Sequence, residues 1–448
     1  MQVSCPTTMT FAATPAIAAS DAPAVGATWL PLLSTRTYDP RDVPIAQKAG
    51  VIVGMSMTEK QGGSDVRANT TIATPVHASK HGPGDQFTLV GHKWFTSAPM
   101  SDAFLTLAKT EGDAQGDGVS CFLVPRWLPD GTRNSGLGVK RLKNKLGDLS
   151  NASSEVEYSN AWGVMLGQPG KGVKTIVEMV VHTRLDCTVG SAALMRQCAQ
   201  LAAHHAAHRK AFGTALAEAP LMREVLVDLA IETEAANCLW PRLARAFELA
   251  PTDVHEAAFR RIATAIGKYW VCKRAPSVAY EAMECLGGNG YVEDFGPMAR
   301  LYRQAPLNAI WEGSGNVIAL DILRALKTEP GAAGALLAEL QECKGADTRL
   351  DALTADLAST LTAPLDSSAE AIRRAQARAR LLVDKMAIAL QAAVLIRHGH
   401  AAAAGAYCAS RLPGQVVAGG WNYGALRTGD FADAAGERAL LDRLTISA

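Results

Sequence analysis

The sequence predicts an α+β fold: a central antiparallel β-barrel or sandwich, followed by an α-helical bundle and a helical C-terminal extension. Three observations carry this expectation. Between Gly50 and about Leu166 the apolar residues come in short runs rich in β-branched and aromatic side chains, bounded by Gly, Pro, Asn and Asp. After Gly170-Lys171-Gly172 they recur at three- and four-residue spacings along stretches with few breakers. Beyond Pro330 the chain stays rich in alanine and leucine to about Gly405.

Taken in order, residues 1–50 carry Pro15, Pro23, Pro31, Pro40 and Pro44, so at most one or two short helices fit between these breakers. Residues 51–168 hold the strand candidates Phe87–Val90, Phe104–Ala108, Ser120–Val124 and Ser154–Tyr158. Residues 169–328 contain four helical segments, Val173–Arg209, Leu221–Leu249, His255–Leu286 and Asn316–Lys327, which suit a four-helix bundle. Residues 329–448 form the helical extension, with His400–Gly405 read as a helix ending and Gly414–Gly424 as a break.

Composition bounds the function. At 448 residues the chain is long enough for two or three domains. With 44 basic against 43 acidic residues, no global field recruits nucleic acid or anionic lipid. Nine cysteines without a CxxC pair read as reduced thiols of a cytoplasmic protein, not as a disulfide framework or a zinc site. The apolar N-terminus lacks a positive n-region, and the run Met386–Ile396 is too short to span a bilayer, so no membrane partner is expected. His204 and His208 lie one turn apart but lack a third ligand nearby, so no metal is expected, and Gly167–Gly172 lacks the spacing of a phosphate-binding P-loop.

Two polar clusters stand out as chemistry. Met57-Thr58-Glu59-Lys60-Gln61-Gly62-Gly63-Ser64-Asp65-Val66 combines hydroxyls, paired glycines and a carboxylate in one turn, which suits either a ligand loop or an ordinary surface loop. In Ala309-Ile310-Trp311-Glu312-Gly313-Ser314-Gly315-Asn316 a carboxylate stands between apolar residues and a glycine-rich turn. Glu312 there is either a base made more basic by the apolar shielding of Ile310 and Trp311, or an acidic residue at the start of a helix. Trp94 and Phe95 are either strand core or part of a flat cofactor box, and Arg209 is either a solvated helix end or a phosphate ligand.

The two clusters, together with Lys93-Trp94-Phe95-Thr96-Ser97, Arg209-Lys210-Ala211-Phe212-Gly213 and Leu286-Gly287-Gly288-Asn289-Gly290-Tyr291 in the same order, resemble the acyl-CoA dehydrogenase flavoprotein family. The wording of Thr7–Pro15, of Asn69-Thr70-Thr71 and of Ile310–Asn316 is similar to its AidB-like branch, which belongs to the bacterial adaptive response to alkylation. The resemblance covers roughly the first 330 residues well. It implies FAD as cofactor and Glu312 as the base that removes the α-proton of an acyl-CoA while the β-hydride passes to flavin. It places the isoalloxazine against Met57, Thr58, Trp94, Phe95 and Thr96, with Ser64 and Ser97 nearby. Arg209 and Phe212 are expected to reach the FAD of a neighbouring subunit, which implies a homo-oligomer, a dimer or tetramer. Gly287, Gly288, Ser314 and Asn316 are expected on the adenine side.

Departures from the family pattern temper these expectations. Trp311 stands where many members carry tyrosine, and Glu284 where glutamine is common. Most of the helical domain that the family places before Thr7–Pro15 is expected to be missing, through a misplaced start or a degraded copy. The AidB-like alternative is binding of DNA or detoxification of alkylating agents, with little acyl-CoA turnover. From Glu329 onward the chain has 12 Lys/Arg against 13 Asp/Glu, but Arg373, Arg374, Arg378 and Arg380 cluster on one helix, where they suit phosphates or a solvated face.

Overall fold

The computed structural model describes residues 4–77, 82–110, 118–363, 368–412 and 434–444. The chain divides into two compact units, Met1–Thr183 and Arg184–Ala448.

The first unit opens with α1 (Ser4–Ala18) and α2 (Pro23–Leu33). Both helices run through a proline, Pro15 and Pro31, rather than fitting between the breakers. The lost N–H is offset by burial, because Met9, Ala12, Ala13, Ala16, Ile17 and Trp29 join Val53, Leu105, Leu107 and Leu123 in one apolar core. Seven strands follow: β1 (Val53–Ser56), β2 (Ile72–Pro75), β3 (Gln86–Ser97), β4 (Ala103–Thr110), β5 (Ser120–Pro125), β6 (Leu137–Leu142) and β7 (Ser153–Leu166). Strands β4, β2, β3, β7 and β5 pair in a closed ring, with β1 added on β4 and β6 on β7. A barrel is therefore realised, but it is mixed, since β1 and β2 both run parallel to β4. Alternate residues such as Phe87, Leu89, Phe122, Val124, Val156 and Tyr158 fill a second core, as the two-residue period of a strand requires.

From Gly172 the chain is helical: α3 (Gly172–His208) leads from the first unit into the second. A small hairpin, β8 (Lys210–Ala211) and β9 (Thr214–Ala215), precedes α4 (Pro220–Leu249), α5 (Val254–Cys285), the short α6 (Gly288–Tyr291) and α7 (Met298–Gln304), and α8 (Gly315–Thr328). Then come α9 (Ala332–Gln341), α10 (Thr348–Thr362), α11 (Ala369–His398), α12 (Ala401–Arg411) and α13 (Ala434–Asp442). Side-chain caps mark several starts: Asp253 accepts from the His255 and Glu256 amides, Asp347 from Arg349 and Leu350, and Ser368 from Ala371.

His400–Gly405 is not a helix ending. It begins α12, with His400 Nδ1 accepting from the Ala402 amide at 3.2 Å, and Gly405 lies inside the helix. Alanine carries the helix through the single glycine, whose cost there is only about 1 kcal/mol. Gly414–Gly424 lies outside the described residues. The helices after residue 329 share one continuous apolar core with α3, α4, α5 and α8, through Leu336, Leu353, Val383, Leu390, Leu395 and Tyr407. No described helix is long and apolar enough to cross a membrane.

Candidate functional site

In the first unit the loop after β1 is fixed from beneath by Glu59. This carboxylate is 2% exposed and accepts from Lys93 Nζ (2.9 Å), from the amides and hydroxyls of Thr70 and Thr71 (2.6–3.1 Å), and from Gln61 Nε2 (3.0 Å). Burial alone would raise its carboxyl, but Lys93 and these donors outweigh burial and hold it well below the usual carboxylate range. Burial pushes Lys93 down to about 8 against the pull of Glu59. Asn69 Nδ2 donates to the Met57 carbonyl at 3.0 Å. The Asn69-Thr70-Thr71 segment thus acts as the clamp of the loop, a physical role that a sequence match leaves unstated.

The upper side of that loop is open. Gly62 lies at φ +132°, and Ser64 is exposed. A Cβ on Gly63 would lie 2.6 Å from Thr58 Oγ1, so only glycine permits this closeness. Asp65 is used locally, accepting from the Arg67 amide at 3.2 Å. Trp94 N donates to the Thr58 carbonyl at 2.8 Å, and Thr58 bridges to Phe95. Between Lys93 and Thr96 the β3–β7 register slips by one residue. This bulge turns Phe95 outward, 48% exposed, while Lys93 and Thr96 both stay buried.

The expected flavin contacts therefore separate. Met57, Thr58 and Ser64 lie on the open loop and Phe95 beside it, whereas Ser97 pairs with Ser153 of β7. The Thr96 hydroxyl is not at the surface; it is 2.6 Å from Ser56 Oγ in the core. Trp94 lies under Lys143, whose ammonium stands 3.0 Å from the ring centroid. Asn151 Nδ2 approaches Ser97 Oγ at 3.5 Å, the edge of hydrogen-bond range.

In the second unit Glu312 lies in the left-handed region at φ +57°, a conformation that costs a non-glycine residue roughly 1–2 kcal/mol. Gly313 follows at φ +101°. Lys268 Nζ from α5 donates to the Trp311 carbonyl (2.8 Å) and the Gly313 carbonyl (2.5 Å), and Arg184 Nε from α3 donates to the Glu312 carbonyl (3.1 Å). Three consecutive carbonyls thus meet two cations. Asp321 on α8 accepts from Arg184, Arg261 and Arg324, and although burial opposes it, these guanidinium groups hold its carboxyl well below the usual range. Trp311 Nε1 donates to Asn308 Oδ1 at 2.9 Å, which fixes the indole. Ile310 is 64% exposed, so within this unit the shielding expected of it is not provided.

Ser314 begins α8 without a side-chain cap, and Asn316 Oδ1 accepts from Arg380 Nε of α11 at 2.8 Å. Gly287 (φ +59°) and Gly288 leave open space where a Cβ would stand. Arg209 is exposed at the end of α3, and Phe212 tips the β8–β9 hairpin, fully exposed at φ +52°. Lys268 and Arg184 escape sequence reading because each acts on a segment distant in the chain. No cluster of three metal-ligating side chains occurs among the described residues.

The mixed barrel and the helical unit that follows it have the fold of a class of flavoprotein dehydrogenases. The chain belongs to the acyl-CoA dehydrogenase family. Residues 54–161 match its middle domain, residues 170–327 its C-terminal domain, and residues 1–40 the Adaptive response protein AidB N-terminal domain. The chain is 47% identical over 363 residues to the putative acyl-CoA dehydrogenase AidB of Escherichia coli K12, covering 81% of this chain and 64% of that one. It is 30% identical over 290 residues to glutaryl-CoA dehydrogenase of Desulfococcus multivorans, covering 63% and 69%. Among solved structures, Caenorhabditis elegans ACDH-11 in complex with C11-CoA superposes with a TM-score of 0.78 at 26% identity, covering all of this chain and 72% of that one. The Bd2924 apo-form gives 0.76 at 30% identity, covering 88% and 74%. The chain thus spans less than two thirds of the E. coli relative's length.

Proposed function

We propose that the chain carries the chemistry of an FAD-dependent oxidoreductase of the acyl-CoA dehydrogenase type, with Glu312 as base toward an acyl-CoA. The observation that carries this reading is the strained, cation-tied backbone at Glu312, since an unfavourable φ persists where surrounding contacts determine it and such sites concentrate at active centres. Glu312 takes the α-proton of the thioester as the α-carbon's electron pair moves into the new double bond. When bound, FAD supplies the acceptor for the β-hydrogen and its electron pair. Trp311, fixed by Asn308, forms a bulky wall beside the base and favours slender or short acyl chains. The open glycines and hydroxyls of the Thr58 loop and the outward Phe95 of the β3 bulge suit a flat ring with one hydrogen-bonding edge, so the residues fit non-covalent FAD.

The loop geometry gives a direct test. A methyl group on Gly63 would collide with Thr58 Oγ1, so Gly63→Ala displaces the hydroxyl assigned to flavin. Loss of about one hydrogen bond weakens FAD binding by roughly fivefold to tenfold. Titration of the apoprotein by flavin fluorescence measures this, and an unchanged Kd would remove Thr58 from the site.

The same reading includes a cytoplasmic homo-oligomer in which Arg209 and the exposed Phe212 serve a neighbouring subunit's flavin. A fully exposed phenylalanine at a hairpin tip supports a partner surface. Phe212→Ser is expected to make flavin retention fall on dilution to concentrations at which the unaltered protein keeps it. Light scattering at one chain's mass, with flavin fully bound at high dilution, would contradict the shared site.

The AidB-like reading, DNA binding through the arginines of α11, ranks second. Arg374 pairs with Glu370, which narrows the cationic face to Arg373, Arg378 and Arg380, the last hydrogen-bonded to the neutral Asn316. A steep salt dependence of duplex mobility shift would favour it.

A further inference from the structure

Lys268 lies in the middle of α5, 1% exposed, and burial pushes its ammonium below the usual lysine range against the pull of Cys272, Cys187 and Glu312. A buried ammonium is costly unless hydrogen-bonded. Its hydrogen bonds go to backbone, to the carbonyls of Trp311 and Gly313, one on each side of Glu312. Donation to both carbonyls fixes the peptide plane that enters Glu312 and the plane that leaves Gly313, so the ammonium ties down both ends of the turn from which the Cα–Cβ bond of Glu312 leaves the loop. Arg184 takes the intervening carbonyl, but from α3. A separate chain of contacts, Trp311 to Asn308 to Ser191 to Cys272, fixes the neighbouring indole and leaves the peptide planes to Lys268 and Arg184.

We infer that Lys268 is a positioning residue for proton abstraction: its clamp on the Trp311 and Gly313 carbonyls holds Glu312 in the left-handed conformation that aims the carboxylate at the α-carbon of an acyl thioester. This rests on the reading of Glu312 as base. The ammonium transfers no proton itself. Its charge also stabilises the two carbonyls it bridges, which would otherwise repel one another.

The test uses the flavin-loaded full chain and the variant Lys268→Met, which keeps the length and apolar stem but cannot donate. Hydrogen exchange followed by mass spectrometry is expected to show the amides of Glu312 to Ser314 exchanging at least about tenfold faster, with the core of α5 unchanged. Washout of the α-protons of isovaleryl-CoA into deuterated water is expected to slow by about 10²-fold, as for a misplaced reacting group. Lys268→Gln, which restores a donor without the charge, is expected to recover part of both and serves as the variant if the methionine form does not fold. Loop amides that exchange as in the unaltered protein, in a folded variant, overturn the proposal. Wild-type washout from a variant with loosened amides does so as well, because the clamp then does not position the base. Glu312→Gln separates the two readings: if it washes out α-protons normally, or if the unaltered protein shows no washout, the base assignment fails and loop exchange alone decides whether Lys268 holds the loop.

Discussion

Glu312→Gln is expected to keep its flavin and to lose α,β-dehydrogenation by about 10³-fold, the middle of the range for removing a general base. The amide preserves size and shape but does not accept the α-proton at neutral pH. Its effect on the fold is expected to be small, because the contacts that fix the loop go to the backbone carbonyls of residues 311, 312 and 313 and survive the exchange. Anaerobic mixing with a short branched acyl-CoA, followed by bleaching of the flavin band, measures the step directly. Reduction at the rate of the unaltered protein would remove Glu312 as base. A colourless variant would instead mean that the carboxylate holds flavin, a different assignment of the same residue.

Much of this architecture is legible in the chain because its signals are local. The helices α3, α4, α5 and α8 follow an uninterrupted three- and four-residue apolar period, and the structure begins and ends each within a few residues of the segments so marked. The alternation along β3 and β7 is likewise local. Parallel pairing of β1 and β2 with β4 is not, because nothing in a short strand states its neighbour. The bulge between Lys93 and Thr96 is hidden for a related reason: it depends on β7 as much as on β3, and it decides that Phe95 faces out while Thr96 turns to Ser56. His400 and Gly405 mislead because glycine after histidine and alanines looks like a C-terminal stop, whereas the His400 ring caps the following turn. The carboxylate at 312 can be picked out as a motif. Its supports, Lys268 some 44 positions earlier and Arg184 some 128 earlier, come together only through packing.

Arg411→Met is expected to destabilise the second unit by about 3–5 kcal/mol, since it breaks a buried ion pair and leaves the opposing charge behind. Arg411 is 4% exposed on α12, in contact with Asp228 and with Glu232 Oε1 at 2.8 Å, and Arg274 Nε meets Glu232 Oε2 at 3.1 Å. Without Arg411, two buried carboxylates on α4 share one guanidinium. The pH dependence gives the diagnosis. Burial would raise Glu232, but Arg274 and Arg411 outweigh it and lower it from 4.5 to about 2. A carboxyl lowered on folding contributes stability that is present above its unfolded value and is lost as pH falls through about 2. Asp228 has the opposite sign, because burial raises it despite Arg411, so its charge opposes folding at neutral pH. Removing Arg411 raises both carboxyls, so protonation relieves the variant at pH values where Glu232 of the unaltered protein is still charged. The deficit in melting temperature is therefore expected to shrink as pH falls from 7 toward 4, and Asp228→Asn added to Arg411→Met to recover part of it. A deficit that stays constant across that interval would show that lost packing of the long side chain, not the unpaired carboxylates, accounts for the change.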